Sequence, residues 1–490
     1  MTAQNENKRC PHSKKCGGCQ LQNLTYPEQL EWKNRLCIKL LGQFAHVEPI
    51  IGMESPYHYR NKVQAAFGTT RAGRIISGIY QSSTHNIVAV DSCMTEDKAA
   101  DKIITDIRKL LADFKMTAYN EVTGRGFLRH VLVKRGFATN EIMVVLVTGT
   151  PVFPARSNFL RALLKLHPEI TTVVQNVNDR FTSMLLGPNE KTLFGPGFIT
   201  DVLCGLKFRI SAKSFYQINP VQTEVLYGKA MEFAGLTGRE TVIDAYCGIG
   251  TIGMIAAKTA GQVLGVEVNR DAVRDAIANA KLNNMKNIRF ICADAGEFMV
   301  DMAQNGEHCD VLLMDPPRAG SDRAFLSSAV TLAPKRIVYV SCNPETLARD
   351  LHFLTKRGYR VEKIQPVDMF PHTNHVETVV LLSHKKPDGH INVKVEFGEG
   401  EGKVPLDNIA KRAETYKPKE RVTYTMIKEY IAAKYGFKVH TAYIAEVKRD
   451  LGLPMYDAPN AVEELKQPRK HPTPEKVEAI KDALKHFEVI

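Results

Sequence analysis

The apolar positions of this chain change rhythm near Cys204-Gly205. Upstream, from about Pro49 to Gly205, apolar residues alternate with polar ones or gather in short runs, as in Thr84 to Val90 and Glu141 to Thr148. Gly124-Arg125-Gly126 and Thr139-Asn140 punctuate them, so the region is predicted to be mainly β. Downstream, short apolar runs alternate with segments of helical period. Thr241 to Asp244, Val263 to Glu267, Ile288 to Cys292, Val311 to Asp315 and Ile337 to Ser341 read as strands. Between two of them, Arg270 to Leu282 sets Ala272, Val273, Ala276, Ile277 and Ala280 on one helix face. This alternation predicts an α/β fold with a parallel sheet covered on both faces, and Val379 to Ser383 adds an edge strand.

The flanks follow other patterns. Gln29 to Leu41 is an amphipathic helical stretch. Beyond Lys385 the chain turns polar, with linker-like Pro387-Asp388-Gly389 and Gly398-Glu399-Gly400-Glu401-Gly402 and a basic tract from Lys411 to Arg421. Helical patterns at Tyr424 to Tyr435 and His440 to Leu451 resemble a helix-turn-helix module in pattern, which suits a nucleic-acid appendage or a packing extension equally. The expected organisation is a cysteine-bearing segment over 1–48, a β-rich domain over 49–205, an α/β domain over 206–385, and a linker with a small, mainly helical extension over 386–490.

Composition narrows the partners. The formal net charge of +12 predicts a polyanionic partner without separating RNA from DNA or an acidic membrane. The first nine residues are polar and no stretch of about 18 apolar residues occurs, so neither export nor a membrane span is expected and the cytoplasm is the expected location. In that reducing setting ten cysteines point to metal ligation or chemistry rather than disulfides. Cys10, Cys16 and Cys19 form C-x5-C-x2-C. Cys93 or Cys37 is the candidate fourth ligand, and Cys93 is preferred because Cys37 lies within the amphipathic helical stretch. On spacing, an iron-sulfur cubane, a four-thiolate zinc site and unligated thiols all stay open.

The downstream strand ends carry the candidate chemistry. Asp244-Ala245-Tyr246-Cys247-Gly248-Ile249-Gly250-Thr251 follows a strand and opens a helix, with glycines that let backbone approach a ligand. Glu267 is placed to accept ribose hydroxyls and Asp294 to reach adenine, which suits NAD as well as S-adenosylmethionine. Asp315-Pro316-Pro317-Arg318 tips the balance to methyl transfer, because the prolines hold carbonyls and carboxylate rigidly where donor meets substrate. Amino-methylating enzymes place an aromatic where Arg318 stands, which weakens an amine substrate.

Ser341-Cys342-Asn343-Pro344 sets a thiol at a strand end. Carbon 5 of uracil is too poor a nucleophile to take a methyl group unaided. A thiolate adding at carbon 6 makes the ring an enolate, and a base must later remove the carbon 5 proton. Glu377, in His375-Val376-Glu377-Thr378, is the candidate base, with His375 its competitor. Upstream, Tyr57 to Lys62 and Phe127 to His130 mix cations with aromatic rings, making Arg60 and Arg129 candidate contacts to single-stranded RNA; a solvated strand face is the alternative. Cys247, Cys292 and Cys309 read as small core residues.

Together these motifs carry a resemblance. The chain resembles the bacterial RNA uracil-5 methyltransferases that make 5-methyluridine, and within them the 23S rRNA branch that holds a 4Fe-4S cluster. The match runs from Cys10 to about Ser383, through C-x5-C-x2-C with Cys93, Phe215-Tyr216-Gln217-Ile218-Asn219, Asp315-Pro316-Pro317-Arg318, Ser341-Cys342-Asn343-Pro344 and His375-Val376-Glu377-Thr378. It implies a Rossmann-like class I S-adenosylmethionine methyltransferase domain, preceded by an iron-sulfur-bearing, β-rich RNA-binding domain. It further implies donor contacts from Gln217, Tyr246, Thr251, Glu267, Asp294 and Asp315, attack by Cys342 and proton removal by Glu377. Cys10, Cys16, Cys19 and Cys93 would ligate the cluster. The implied substrate is a uridine in a loop or unpaired region of 23S rRNA, with tRNA the alternative. An inactive RNA-binding protein is the non-enzymatic rival, and the intact Cys342, Glu377 and Asp315 argue against it. Thr251 stands where relatives often have Asn. Nine residues precede Cys10, where many relatives carry a small β-barrel, and the segment from about Asp388 is extra, expected to restore RNA affinity.

Overall fold

The apolar runs upstream of Gly205 become one seven-stranded sheet. In the computed structural model, which describes residues 10–81, 84–182, 184–384, 424–451 and 471–487, its strands are β1 (Lys62–Thr69), β2 (Ile75–Tyr80), β3 (Ile87–Ala89), β4 (Leu128–Arg135), β5 (Ile142–Thr148), β6 (Ile170–Val177) and β7 (Asn189–Phe194). They lie in the order β3-β2-β1-β4-β5-β6-β7. All seven residues of β5 are buried, so its unbroken apolar run marks a strand covered on both faces. Two helices that the pattern did not announce do part of the covering: α2 (Lys98–Asp113), capped by Asp97, and α3 (Arg156–Leu166). Ile103, Ile107, Leu111 and Phe159 from these helices meet Val131, Val133, Val144 and Leu146 of the sheet.

The expected boundary at 205/206 falls inside a hairpin instead. β8 (Phe198–Leu203) and β9 (Leu206–Ser211) pair antiparallel across Cys204-Gly205, and Ile199, Phe208 and Ile210 join a core that includes Leu132, Val145 and Val147 of the first sheet and Val242, Val263 and Val338 farther on. The rhythm change therefore marks a turn within one unit, which spans Met1–Asp388.

The second sheet follows the alternating pattern closely. β10 (Thr241–Ala245), β11 (Gln262–Glu267), β12 (Ile288–Cys292), β13 (Val311–Met314) and β14 (Arg336–Ser341) run parallel, and β16 (Glu377–His384) and β15 (Tyr359–Val367) add two antiparallel strands in the order β12-β11-β10-β13-β14-β16-β15. The expected edge strand is thus an inner one, covered by β15. The period of β15 is broken by charged residues and a register shift between Val361 and Lys363, which hid it from a period-two reading. Helices α4 (Pro220–Ala234), α5 (Thr251–Ala257), α6 (Arg270–Leu282), α7 (Ala295–Gln304), α8 (Arg323–Leu332) and α9 (Pro344–Thr355) accompany the sheet. Cys247 and Cys309 are core residues as read, but Cys292 is exposed.

The segment over 1–48 does not stand apart either. Its helix α1 (Tyr26–Leu41) packs on α9 and β15, with Cys37 and Leu41 in the second sheet's core. Lys33 Nζ lies 2.6 Å from Asp368 Oδ1 with both side chains fully buried, and it also donates to the Phe370 carbonyl at 3.0 Å. Tyr26 Oη donates to the other Asp368 oxygen at 2.9 Å.

The other unit spans Gly389–Ile490. The two expected helices are present as α10 (Tyr424–Tyr435) and α11 (Thr441–Asp450). A third, α12 (Pro474–His486), packs against both and closes a small core of Ile427, Ile431, Ile444, Val447, Ile480 and Leu484. The linker-like and basic stretches between 387 and 421 lie outside the described residues. Among the described residues no helix is long and apolar enough to cross a membrane.

Candidate active site

The five parallel strands end at one edge of the second sheet, where such folds bind ligands. Tyr246 follows β10, Glu267 ends β11, Asp294 lies two residues past β12, Asp315 follows β13 and Cys342 follows β14. β16 runs the opposite way and so begins at that edge, with Glu377. Ser341 pairs with Thr378 in the antiparallel register, which sets Cys342 and Glu377, the next residue outward on each strand, beside each other.

Backbone conformation shapes the donor side. Tyr246 takes a φ of 61° to enter the glycine turn, and Gly250 has a φ of 84°, where a Cβ would come within 2.6 Å of the Phe290 ring. Only glycine fits there. Glu267 holds the turn: Oε2 accepts from Gly248 N at 3.1 Å and Oε1 from Asn269 N at 2.8 Å. Each oxygen keeps a lone pair for a hydroxyl. Asp294 Oδ1 caps α7 by accepting from Gly296 N and Glu297 N, so the adenine contact expected of it falls to Oδ2. Tyr246 lies against Phe325, ring centroids 4.9 Å apart.

Two residues that carried no assignment in the sequence complete this side. The buried Tyr227 on α4 places its phenol 3.4 Å from Thr251 Oγ1 and faces the side chains of Gln217 and Asp315. Nothing in its helical context signals this. Asp244, buried at the end of β10, accepts from Gly253 N at 2.8 Å; burial pushes its carboxyl up to about 8, with Asp315 and Glu267 adding to the rise. Burial pushes Asp315 up to about 7. The grouping of Asp244, Glu267 and Asp315 disfavours further negative charge and suits a cation nearby.

The thiol side is built from the same loop. The Arg318 carbonyl accepts from Asn343 Nδ2 at 3.3 Å and Thr346 Oγ1 at 3.2 Å, tying the Asp-Pro-Pro-Arg turn to the Cys342 loop. Asn343 also caps α9, with Pro344 at its first position, so half of the Ser-Cys-Asn-Pro signal is a helix start. Burial, then the nearby Glu377 and Asp315, push the Cys342 thiol up to about 11, and Arg318 opposes them. Glu377 is 4% exposed and rises well above the usual carboxylate range, through burial and then Asp315, with Arg318 again opposing. One guanidinium thus serves two acidic groups, the Cys342 thiol and the Glu377 carboxyl. Arg318 Nη2 stands 2.7 Å from His375 Nε2, and burial together with Arg318 holds that imidazole down at about 4. A neutral ring with its lone pair turned to a guanidinium is a poor proton acceptor.

The cysteine segment and the two arginines are placed differently. Cys10, Cys16, Cys19 and Cys93 are half-buried and free of disulfides. Cys19 is raised by burial first, lowered by Arg60, and feels Cys16 and Cys10; burial and Glu96 push Cys93 up to about 11. Among the described residues no three His, Cys, Asp or Glu side chains are grouped to hold one metal ion. A cubane binds each thiolate to a different iron, and four unpaired soft donors suit it chemically. Arg60 is half-buried beside Tyr59, with Cys19 and Glu96 as charged neighbours. Arg129 corrects the expectation of a solvent-facing cation: it is 4% exposed, Nη1 donates to the Asn178 and Arg180 carbonyls at 2.7 and 2.8 Å, and its guanidinium lies 4.4 Å from the Tyr119 ring centre. Tyr59 and Phe127 are likewise buried, so neither aromatic-cation run is a solvated face.

Comparison with known proteins identifies the arrangement. Residues 198–385 match the tRNA (uracil-5-)-methyltransferase family model. An RNA methyltransferase of Bacillus cereus, not further characterised, is 43% identical over 383 residues, covering 77% of this chain and 83% of its own. One from Clostridium acetobutylicum is 44% identical, covering 76% and 82%. Among solved structures, the Pyrococcus abyssi tRNA (uracil-54, C5)-methyltransferase in complex with S-adenosyl-L-homocysteine is 31% identical, with a TM-score of 0.63 over 75% of this chain and 86% of that one.

Proposed function

Since this chain belongs to the RNA uracil-5 methyltransferase family, we propose that it transfers the methyl group of S-adenosylmethionine to carbon 5 of an unpaired uridine in 23S rRNA, through a covalent Cys342 adduct. The observation that carries this reading is the antiparallel register that brings a thiol and a carboxyl together at the donor edge. S-adenosylmethionine supplies the methyl group and a sulfonium cation. Gln217, Tyr246, Thr251, Glu267, Asp294 and Asp315 would hold it, and a cation held there would favour ionisation of Cys342 and Glu377 as Arg318 does. The Cys342 sulfur adds to carbon 6 and the ring's π electrons move to the carbon 4 oxygen. Those electrons return through carbon 5 to form the new bond to the methyl group, while the S–CH3 bond of the donor breaks and leaves a neutral thioether. Glu377, as carboxylate, removes the carbon 5 proton, the C6–S bond breaks, and the thiolate is restored. His375 keeps Arg318 in place rather than acting as base.

Cys10, Cys16, Cys19 and Cys93 would hold a 4Fe-4S cluster, which would cross-link the N-terminal segment to the β-rich domain. Arg60 contacts RNA beside it. A tRNA substrate is the second reading, favoured by the solved relative that acts on tRNA. Incubation with the donor and 5-fluorouridine-containing 23S rRNA or tRNA tests both, because fluorine cannot leave as a proton. A stable protein-RNA adduct is expected with the rRNA and none with Cys342→Ala. An adduct with tRNA alone would overturn the substrate, and wild-type methylation by Cys342→Ala would overturn the mechanism.

A further inference from the structure

A cavity of about 580 Å³ opens on the first sheet, away from the residues that do the chemistry. Its lining includes Tyr80, Tyr119, Arg129, His130, Phe181 and Met184. The Arg129 guanidinium and Tyr119 ring form a flat, cationic stack. Behind it a fixed hydrogen-bond chain is set: Tyr80 Oη donates to Glu121 Oε1 at 2.8 Å and so accepts from His130 Nε2 at 3.3 Å. At the rim, Phe181 and Met184 are 77% and 70% exposed, large apolar side chains with no core to join. The exposed Phe181 and Met184 offer apolar surface to the face of a heterocycle and the Tyr80–Glu121–His130 wall offers hydrogen-bonding groups to its edge, with Arg129 and Tyr119, 4% and 5% exposed, closing the floor behind.

The cavity continues toward the active site. A second depression of about 330 Å³ shares Gln64, Tyr80 and His130 with it and runs on to Arg60, Lys62 and Ile218. Lys62, Gln64 and Ala66 alternate along β1 and so share its groove-lining face, at steps of about 7 Å. At the near end Lys62 Nζ lies 5.8 Å from the ring of Phe215, which is exposed and two residues from Gln217. A trough lined by Arg60, Lys62 and Gln64 thus runs from Ile218, beside Gln217, to the aromatic cavity.

We propose that the Tyr119–Arg129–Phe181 cavity is a second nucleotide pocket, which takes an unstacked base of the RNA a short step along the strand from the target uridine while Lys62 and Gln64 follow the backbone between them. This rests on RNA as the substrate, not on which uridine is methylated or by what mechanism. The test is equilibrium binding of the full-length protein, without methyl donor, to fluorescein-labelled single-stranded oligouridine and to an abasic oligomer of equal length. Phe181 is 77% exposed, with only the tip of its ring over Gly124, so Phe181→Ala keeps the fold. It should bind oligouridine about tenfold more weakly than wild type, yet match wild type on the abasic strand. 4-Thiouridine photocrosslinks should fall on peptides containing Tyr119 or Met184. An equal loss on both strands, no loss on either, or crosslinks confined to other peptides would overturn the pocket. Failure of uridine methylation would leave all these readouts untouched.

Discussion

Cys342, Asp315 and Glu377 are three acids raised by burial, two of them opposed by Arg318, and their titration should be visible in turnover. Each sits above its ordinary value, Cys342 at about 11 and Asp315 at about 7, so the ionised forms fill only as pH climbs. For the free enzyme, kcat/KM should therefore rise with pH from about 7 upward rather than peak below it. Arg318 lowers the thiol and Glu377. Arg318→Ala should shift the rising limb to higher pH, and Arg318→Lys should restore part of it. A limb that stays fixed in Arg318→Ala would mean that other groups titrate. Glu377→Gln should still form the adduct but release it about 10²–10⁴-fold more slowly, as loss of a proton acceptor does. His375→Ala tests the competing base, and a comparable block in release would move that role to the imidazole.

At the scale of elements, motif and architecture were legible for a common reason: the residues proposed to do the chemistry also end strands and start helices. Asn343-Pro344 and Asn219-Pro220 announce α9 and α4 as N-cap and first-turn proline. Arg270–Leu282 formed with the expected bounds because Asn269 caps it, although Ile277 of the expected apolar face is exposed and Asp275 and Asn279 are buried in its place. What stayed hidden was set by long-range packing. Tyr227 meets Thr251 through the docking of α4, and Arg129 is buried because loop carbonyls near 178–180 fold over it. Neither contact leaves a local trace. The α1 pairing belongs here too. Removing one partner of a buried ion pair strands the other, so Asp368→Ala should cost about 3–5 kcal/mol in denaturant unfolding. The double variant Lys33→Met/Asp368→Leu should cost clearly less, and equal costs would show that the charges do not couple.

Across the whole molecule, the sheet and its site form within the unit Met1–Asp388, whereas Gly389–Ile490 has its own small helical core. Ending the chain at Asp388 should therefore leave the methyltransferase unit folded. RNA binding should weaken and lose part of its salt dependence, measured as the slope of log K against log salt. An unchanged slope and affinity would make the helical unit a bystander in RNA binding.

Lys33 and Asp368 stand 335 positions apart in the chain and meet with no water between them. While the polypeptide is still emerging from the ribosome, that lysine has no counter-charge to bury against, and α1 cannot seat on strands not yet made. Helix α1 can therefore dock only after the chain 335 residues downstream of Lys33 has been made, and the loop that leads into Glu377 is completed by a segment synthesised long before it.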